Sequence, residues 1–200
     1  MKFTNISILL SSIAITAPAI AQAPSPAVAI IQSFSDALIA TMRAGPSLGF
    51  AGRMARLTPV IDRSFDLPLT TRLAVGPPWT TISAADQAAL VAAIRRMTIA
   101  EYAKNFASWS GESITVDDRA NIRATDALVR TTLARRGGEP VAIAYRLRQS
   151  GGSWRIIDVL FNGSVSQLAT RRSDYARILA SGGARALIRH LDTATAKASR

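Results

Sequence analysis

Cysteine is absent from this 200-residue chain, and the one histidine is His190. Without thiols there is no disulfide framework, no thiolate metal site and no cysteine nucleophile. A single histidine leaves the usual zinc ligand sets incomplete and gives a serine nucleophile one candidate base. His190 falls in a predicted terminal helix, where we interpret it as a surface residue. We therefore predict no metal site and no catalytic residues.

Other enzyme signatures are missing as well. The chain has no G-x-S-x-G motif, and its glycine pairs lack the lysine and the strand-to-helix setting of a phosphate-binding loop. Asp158, within the apolar stretch Ile156–Leu160, is the one acid placed for catalysis in a pocket, and no histidine accompanies it on the predicted sheet. An enzyme remains an alternative, but a structural role fits Asp158 better, because a buried carboxylate requires a partner. We predict an ion pair between Asp158 and Arg172.

Long hydrophobic runs are scarce, and the clearest one is at the start of the chain. Lys2 precedes an apolar run from Ile6 to Ile15, which is too short to span a bilayer and is typical of a secretory signal. Cleavage after Ala23 would leave Pro24 first, so we favour cleavage after Ala21. We expect residues 1–21 to be a signal peptide and residues 22–200 to form a single domain.

Acidic residues are few, and the net charge is +11. Residues 127–200 hold 13 Lys and Arg against 4 Asp and Glu, so most of the excess lies in that half. A basic surface suits nucleic acid, anionic lipid headgroups or an acidic protein. Export makes nucleic acid the weakest of these, and arginines that merely solvate the surface are the alternative without a partner.

The first half of the chain has helical periodicity. Apolar residues between Ala27 and Arg43 recur at helical spacing up to Gly45-Pro46, and further helices are predicted over Phe50–Asp62, Leu69–Val75 and Ser83–Ser108.

After Gly111 the period changes to two. Four strands are predicted over residues 114–116, 127–133, 141–148 and 154–161, and two helices follow, separated by Gly182-Gly183. The predicted fold class is α+β, with N-terminal helices packed on a curved four-stranded antiparallel sheet, as in cystatin-like and nuclear-transport-factor-like folds, followed by C-terminal helices.

Short segments in a fixed order match a known pattern. In the helical half they are Phe65-Asp66, Gly76-x-x-Trp79-x-x-Ile82-Ser83, Gln87 and Tyr102. In the second half they are Tyr145-Arg146-Leu147, Trp154-Arg155-Ile156-Ile157-Asp158-Val159, Gly163 and Arg172-Ser173-Asp174-Tyr175. With these segments in this order and spacing, the chain resembles the MlaC family of phospholipid carriers. Arg171, where the family usually has tyrosine, and a longer Gly163–Ser166 turn are closer to its hopanoid-associated HpnM branch.

The resemblance implies a non-enzymatic periplasmic carrier, with bound lipid as cargo and no cofactor. The lipid is a phospholipid or a hopanoid, and the implied partners are an inner-membrane ABC lipid transporter complex and an outer-membrane lipoprotein complex. We expect a monomer that does not bind nucleic acid. A periplasmic adaptor that binds protein and no lipid is the alternative. Candidate pocket walls are Phe34, Leu38, Ile94, Met97, Val141, Ile143, Tyr145, Leu147, Trp154 and Ile156. Taken singly, each of these residues belongs to ordinary core more often than to a pocket lining.

Overall fold

The computed structural model describes residues 25–199, so the predicted signal peptide lies outside it, and the prediction of one domain over residues 22–200 stays a prediction. The helices are α1 (Pro26–Ser64), α2 (Leu67–Val75), α3 (Ala84–Asn105) and α4 (Gln167–Ala198), with a 3₁₀ turn at Pro77–Thr81. Ser83 caps α3 as predicted, because its hydroxyl accepts a hydrogen bond from the Asp86 amide. Within residues 25–199, no helix combines the length and apolar composition required to cross a membrane.

The predicted stop at Gly45-Pro46 is wrong, since α1 continues to a kink at Gly49. Gly45 serves packing instead: a Cβ there would lie 1.9 Å from the Ala107 carbonyl oxygen, so only glycine permits this close approach. Arg53 fixes the bend by donating to the carbonyl oxygens of Gly45, at 3.1 Å, and Ala103, at 2.7 Å.

The predicted antiparallel sheet is confirmed, with more strands than expected. The described residues form one sheet of β1 (Ser113–Val116), β2 (Asn121–Arg123), β3 (Asp126–Arg135), β4 (Gly138–Ser150), β5 (Ser153–Phe161) and β6 (Val165–Ser166). Its order is β1-β3-β4-β5-β6, and β2 pairs with β3. The sequence missed β2 and β6 because strands of three and two residues are too short to show an alternation.

Two hydrophobic cores connect these elements. The larger lies between α1, α3 and the sheet and includes Phe34 and Ile61, while the smaller lies among α2, α3 and α4 and includes Leu90 and Leu187. The Asp66 amide donates to the Ile156 carbonyl oxygen at 3.0 Å, which joins the end of α1 to β5. The α+β class with N-terminal and C-terminal helices is therefore confirmed.

Candidate functional site

A cavity of about 730 Å³ opens between the sheet and the helices. Its apolar wall comes from α1, α2, α3, β3, β4, β5 and the start of α4. The apolar and aromatic lining residues are Met42, Phe65, Leu67, Tyr102, Phe106, Leu133, Val141, Ile143, Tyr145, Ile157, Val159, Phe161 and Leu168. Such a wall, in a volume of this size, is typical of a site for an apolar or amphipathic molecule.

Alternation along β4 places three of the predicted pocket residues in this wall. Val141, Ile143 and Tyr145 point to the face of the sheet that the helices cover, and all three line the cavity. Ala142, between them, is exposed on the other face.

The other candidates do not line this cavity. Those in the larger core are Phe34, Leu38, Leu147, Trp154 and Ile156. Ile94 and Met97 pack in the smaller core, against elements that include α4. Periodicity predicted the burial of these residues, but burial in a filled core and burial beside a cavity produce the same sequence pattern.

Sequence reasoning missed an aromatic group in the wall. Phe65, Tyr102 and Phe106 line the cavity, and the rings of Tyr102 and Phe106 stack with centroids 5.6 Å apart. Their spacing of four residues on α3 was the available signal, because it puts both rings on one helix face. Burial raises the pKa of the Tyr102 phenol well above its usual value and also raises the pKa of Tyr145, so both phenols are neutral near pH 7.

The predicted ion pair between Asp158 and Arg172 is wrong. Asp158 accepts hydrogen bonds from the Ser166 hydroxyl at 2.6 Å and from the Leu168 amide at 3.0 Å, and the guanidinium within reach is that of Arg146, at 3.9 Å. The α4 helix begins beside β5, so the Leu168 amide, one of the free amides of its first turn, points at Asp158. Arg172 instead lies against Gly76, where an added Cβ would be 3.1 Å from its Nε. The carboxylate therefore anchors the start of α4 to the sheet.

Replacing this carboxylate should cost stability, whereas replacing the predicted partner should not. We expect Asp158→Asn to lower the free energy of unfolding by about 1–3 kcal/mol, because an amide group replaces one of the two acceptor oxygens in a buried site. Arg172→Gln should change it by less than about 0.5 kcal/mol. Urea denaturation of both variants measures the difference, and an equal loss in the two would restore the Arg172 assignment.

Charged and polar side chains complete the lining of the cavity. Near α4 they include Glu101, Asp158, Arg171 and Asp174, and Arg171 Nη2 lies 2.5 Å from a Glu101 carboxylate oxygen. Near the β3–β4 turn they include Ser108, Glu112 and Arg135. Among residues 25–199, no three His, Cys, Asp or Glu side chains gather in a group that could hold a metal ion.

Comparisons with known proteins agree with this geometry. The family model described as MlaC protein matches residues 32–193. The chain belongs to the MlaC family. The predicted family is therefore confirmed, and the family identifies a non-enzymatic lipid-binding protein.

A solved structure shows the same fold. It is a phospholipid-binding protein from Ralstonia solanacearum in complex with a phospholipid, 25% identical with a TM-score of 0.73. The match covers 87% of this chain and 99% of that protein. A search of curated proteins finds no match to this MlaC family member. Its place in the HpnM branch stays a prediction.

Proposed function

We propose that this MlaC family member is a periplasmic carrier that holds the apolar part of a lipid in the cavity. It would shuttle that lipid between the outer and inner membranes as a component of an ABC-type transport system. The observation that carries the proposal is the apolar cavity of about 730 Å³ between sheet and helices. It lies within the range of about 300–1,000 Å³ typical of small-molecule sites.

The energetics of lipid transfer require such a cavity. Moving a lipid with about 30 methylenes from a bilayer into water costs on the order of 24 kcal/mol, at about 0.8 kcal/mol for each methylene. A carrier must replace most of the contacts that the bilayer provided. The side chains of Val141, Ile143 and Phe106, together with the rest of the apolar wall, supply those contacts.

Phospholipid is the better supported of the two cargo classes. The similar protein from Ralstonia solanacearum is in complex with a phospholipid, and the two chains share their fold over nearly its whole length. The implied partners are an inner-membrane ABC transporter complex and an outer-membrane lipoprotein complex. The arginines of the C-terminal half would favour acidic partner surfaces, with an association that weakens as ionic strength rises.

If the protein were an adaptor that binds only protein, its core should be filled by its own side chains, since such a protein needs no internal space. A cavity with an apolar wall therefore favours lipid cargo over that alternative.

Native mass spectrometry of the purified mature protein tests the proposal. We expect a complex with one lipid, and organic extraction should identify it as a phospholipid. If the extracted lipid is a hopanoid, the carrier function is supported and the cargo is a hopanoid instead of a phospholipid. An unliganded mass that persists after incubation with both lipid classes would contradict lipid carriage and favour the adaptor.

A further inference from the structure

Beside the cavity lies a shallow groove lined by Trp109, Ser110, Gly111, Ala134, Arg135 and Arg136. We call it the Trp109 groove. Arg135 lines both the groove and the cavity, and the cavity residues Ser108 and Glu112 flank the groove residues Trp109 to Gly111 in sequence. The cavity and the groove therefore adjoin at Arg135, so an amphipathic molecule in the cavity can place its polar end beside the groove.

The Trp109 groove carries three arginines that form no salt bridge among the described residues. Arg135 and Arg136 are exposed, as is Arg43, whose guanidinium carbon lies 5.2 Å from the Trp109 ring centroid. Two acids lie at this edge: Glu139, exposed at the start of β4, and Glu112, whose two oxygens accept hydrogen bonds from the amide and the hydroxyl of Ser110. These hydrogen bonds, and to a lesser degree the charge of Arg135, lower the pKa of Glu112, but three arginines still outnumber the two carboxylates. The groove thus keeps an excess of positive charge.

The edge of the cavity near α4 is lined by more acidic than basic side chains. Its guanidinium, Arg171, is already paired with Glu101 at 2.5 Å, and Asp158 and Asp174 line the same edge. An anion arriving there would have to displace Glu101 and approach two further carboxylates. Because β3 and β5 lie on either side of β4, the two edges are on different sides of the cavity.

We propose that the Trp109 groove binds the phosphate of the cargo's headgroup, so that the cavity selects phosphate-bearing lipids and holds them with the headgroup beside the β3–β4 turn. This inference rests on the proposed carrier function. Guanidinium groups bind phosphate oxygens through paired, charge-assisted hydrogen bonds. Arg135 lines both the cavity and the groove, Arg136 lines the groove beside it, and neither forms a salt bridge within residues 25–199. The Trp109 Nε1 already donates to the Glu112 carbonyl oxygen at 2.9 Å, and the Arg43 guanidinium lies over the ring, so Trp109 offers the lipid only the remaining exposed part of its ring.

Competition between two lipids with the same acyl chains tests this assignment. The delipidated protein is incubated with equal amounts of dioleoyl phosphatidylglycerol and dioleoylglycerol, which lacks the phosphate, and native mass spectrometry gives the ratio of the bound forms. We expect wild type to prefer phosphatidylglycerol and the Arg135→Gln/Arg136→Gln double variant to reduce that preference roughly tenfold. The preference of wild type should also fall as ionic strength rises.

The matched control is Arg185→Gln/Arg189→Gln, which removes the same charge from exposed positions of α4 outside both sites. It should retain the wild-type preference, and thermal unfolding should show all three proteins folded. If the groove variant still loads lipid and still prefers phosphatidylglycerol as strongly as wild type does, the headgroup site is wrong but the carrier function stands. Loading of neither lipid by wild type would overturn both.

A further arm separates cargo from membrane as the source of the phosphate. If the groove variant keeps the wild-type preference but no longer sediments with phosphatidylglycerol vesicles, then Arg135 and Arg136 contact a bilayer surface, and the proposed cargo site is wrong.

Discussion

Val141→Trp should weaken lipid binding more than a hundredfold while leaving the protein folded. Val141 lines the cavity from β4 and is half-buried at the edge of the larger core, so an indole at this position has the cavity to project into. If the indole excludes about four methylenes of the cargo, binding loses about 3 kcal/mol at about 0.8 kcal/mol each, which is more than a hundredfold. Native mass spectrometry after incubation with dioleoyl phosphatidylglycerol measures the loss.

Ala142→Trp provides the matched control. It adds the same indole to the next residue of the same strand, but on the exposed face of the sheet. This variant should load lipid as wild type does. Equal loading by the two variants would show that the cargo does not occupy the cavity beside β4.

Phe34→Ala should destabilise the chain by about 3–5 kcal/mol, a large fraction of the roughly 5–15 kcal/mol that holds a typical domain folded. Phe34 is fully buried where α1 faces the sheet. Its ring makes edge-to-face contacts with Phe65, Tyr102 and Tyr145, with centroids 5.5, 5.4 and 5.9 Å away. Truncation would remove all three contacts and leave a void next to the cavity wall. Equilibrium unfolding in urea gives the change in free energy.

Phe161→Ala is the comparison that separates core from cavity lining. Phe161 lines the cavity but remains 42% exposed, so its truncation should cost less than about 1 kcal/mol of stability. We expect this variant to reduce the bound fraction of lipid clearly, while its free energy of unfolding stays close to that of wild type. Similar losses of stability in both variants would contradict the assignment of Phe34 to the core and Phe161 to the lining.

Local sequence patterns were sufficient for most of the secondary structure. The Ser83 cap and the helical spacing after it predicted α3, and the alternation from Val141 to Arg148 predicted β4, because both patterns depend on which side chains share one face. Gly183 divides α4 with a positive φ of 64°, as the glycine pair there predicted. The ordered segments from Phe65 to Tyr175 were enough to predict the family.

The local patterns failed where contacts with a distant segment of the chain determine the structure. Gly45 looks like a helix terminator, but its carbonyl oxygen accepts a hydrogen bond from Arg53 beyond the kink, and its lack of a side chain admits the Ala107 carbonyl after α3. Neither contact leaves a local signal in the sequence. Asp158 was correctly expected to need a partner. Its hydrogen-bond partners are the Ser166 hydroxyl and the Leu168 amide, because the path of the chain after β5 brings the start of α4 to the carboxylate, while the nearest guanidinium, that of Arg146, stays 3.9 Å away.

The sequence by itself determined the α+β class, the apolar faces and the absence of thiol chemistry, since composition and periodicity fix which side chains avoid water. The tertiary structure alone decided that Val141, Ile143 and Tyr145 line the cavity, although Ile143 and Tyr145 also belong to the larger core, while Phe34, Leu147 and Ile156 of that core do not line it. A cavity is a volume that the helices and the sheet leave unfilled where they meet. No single residue encodes it, because the same apolar side chain is buried equally well against another side chain or against a lipid.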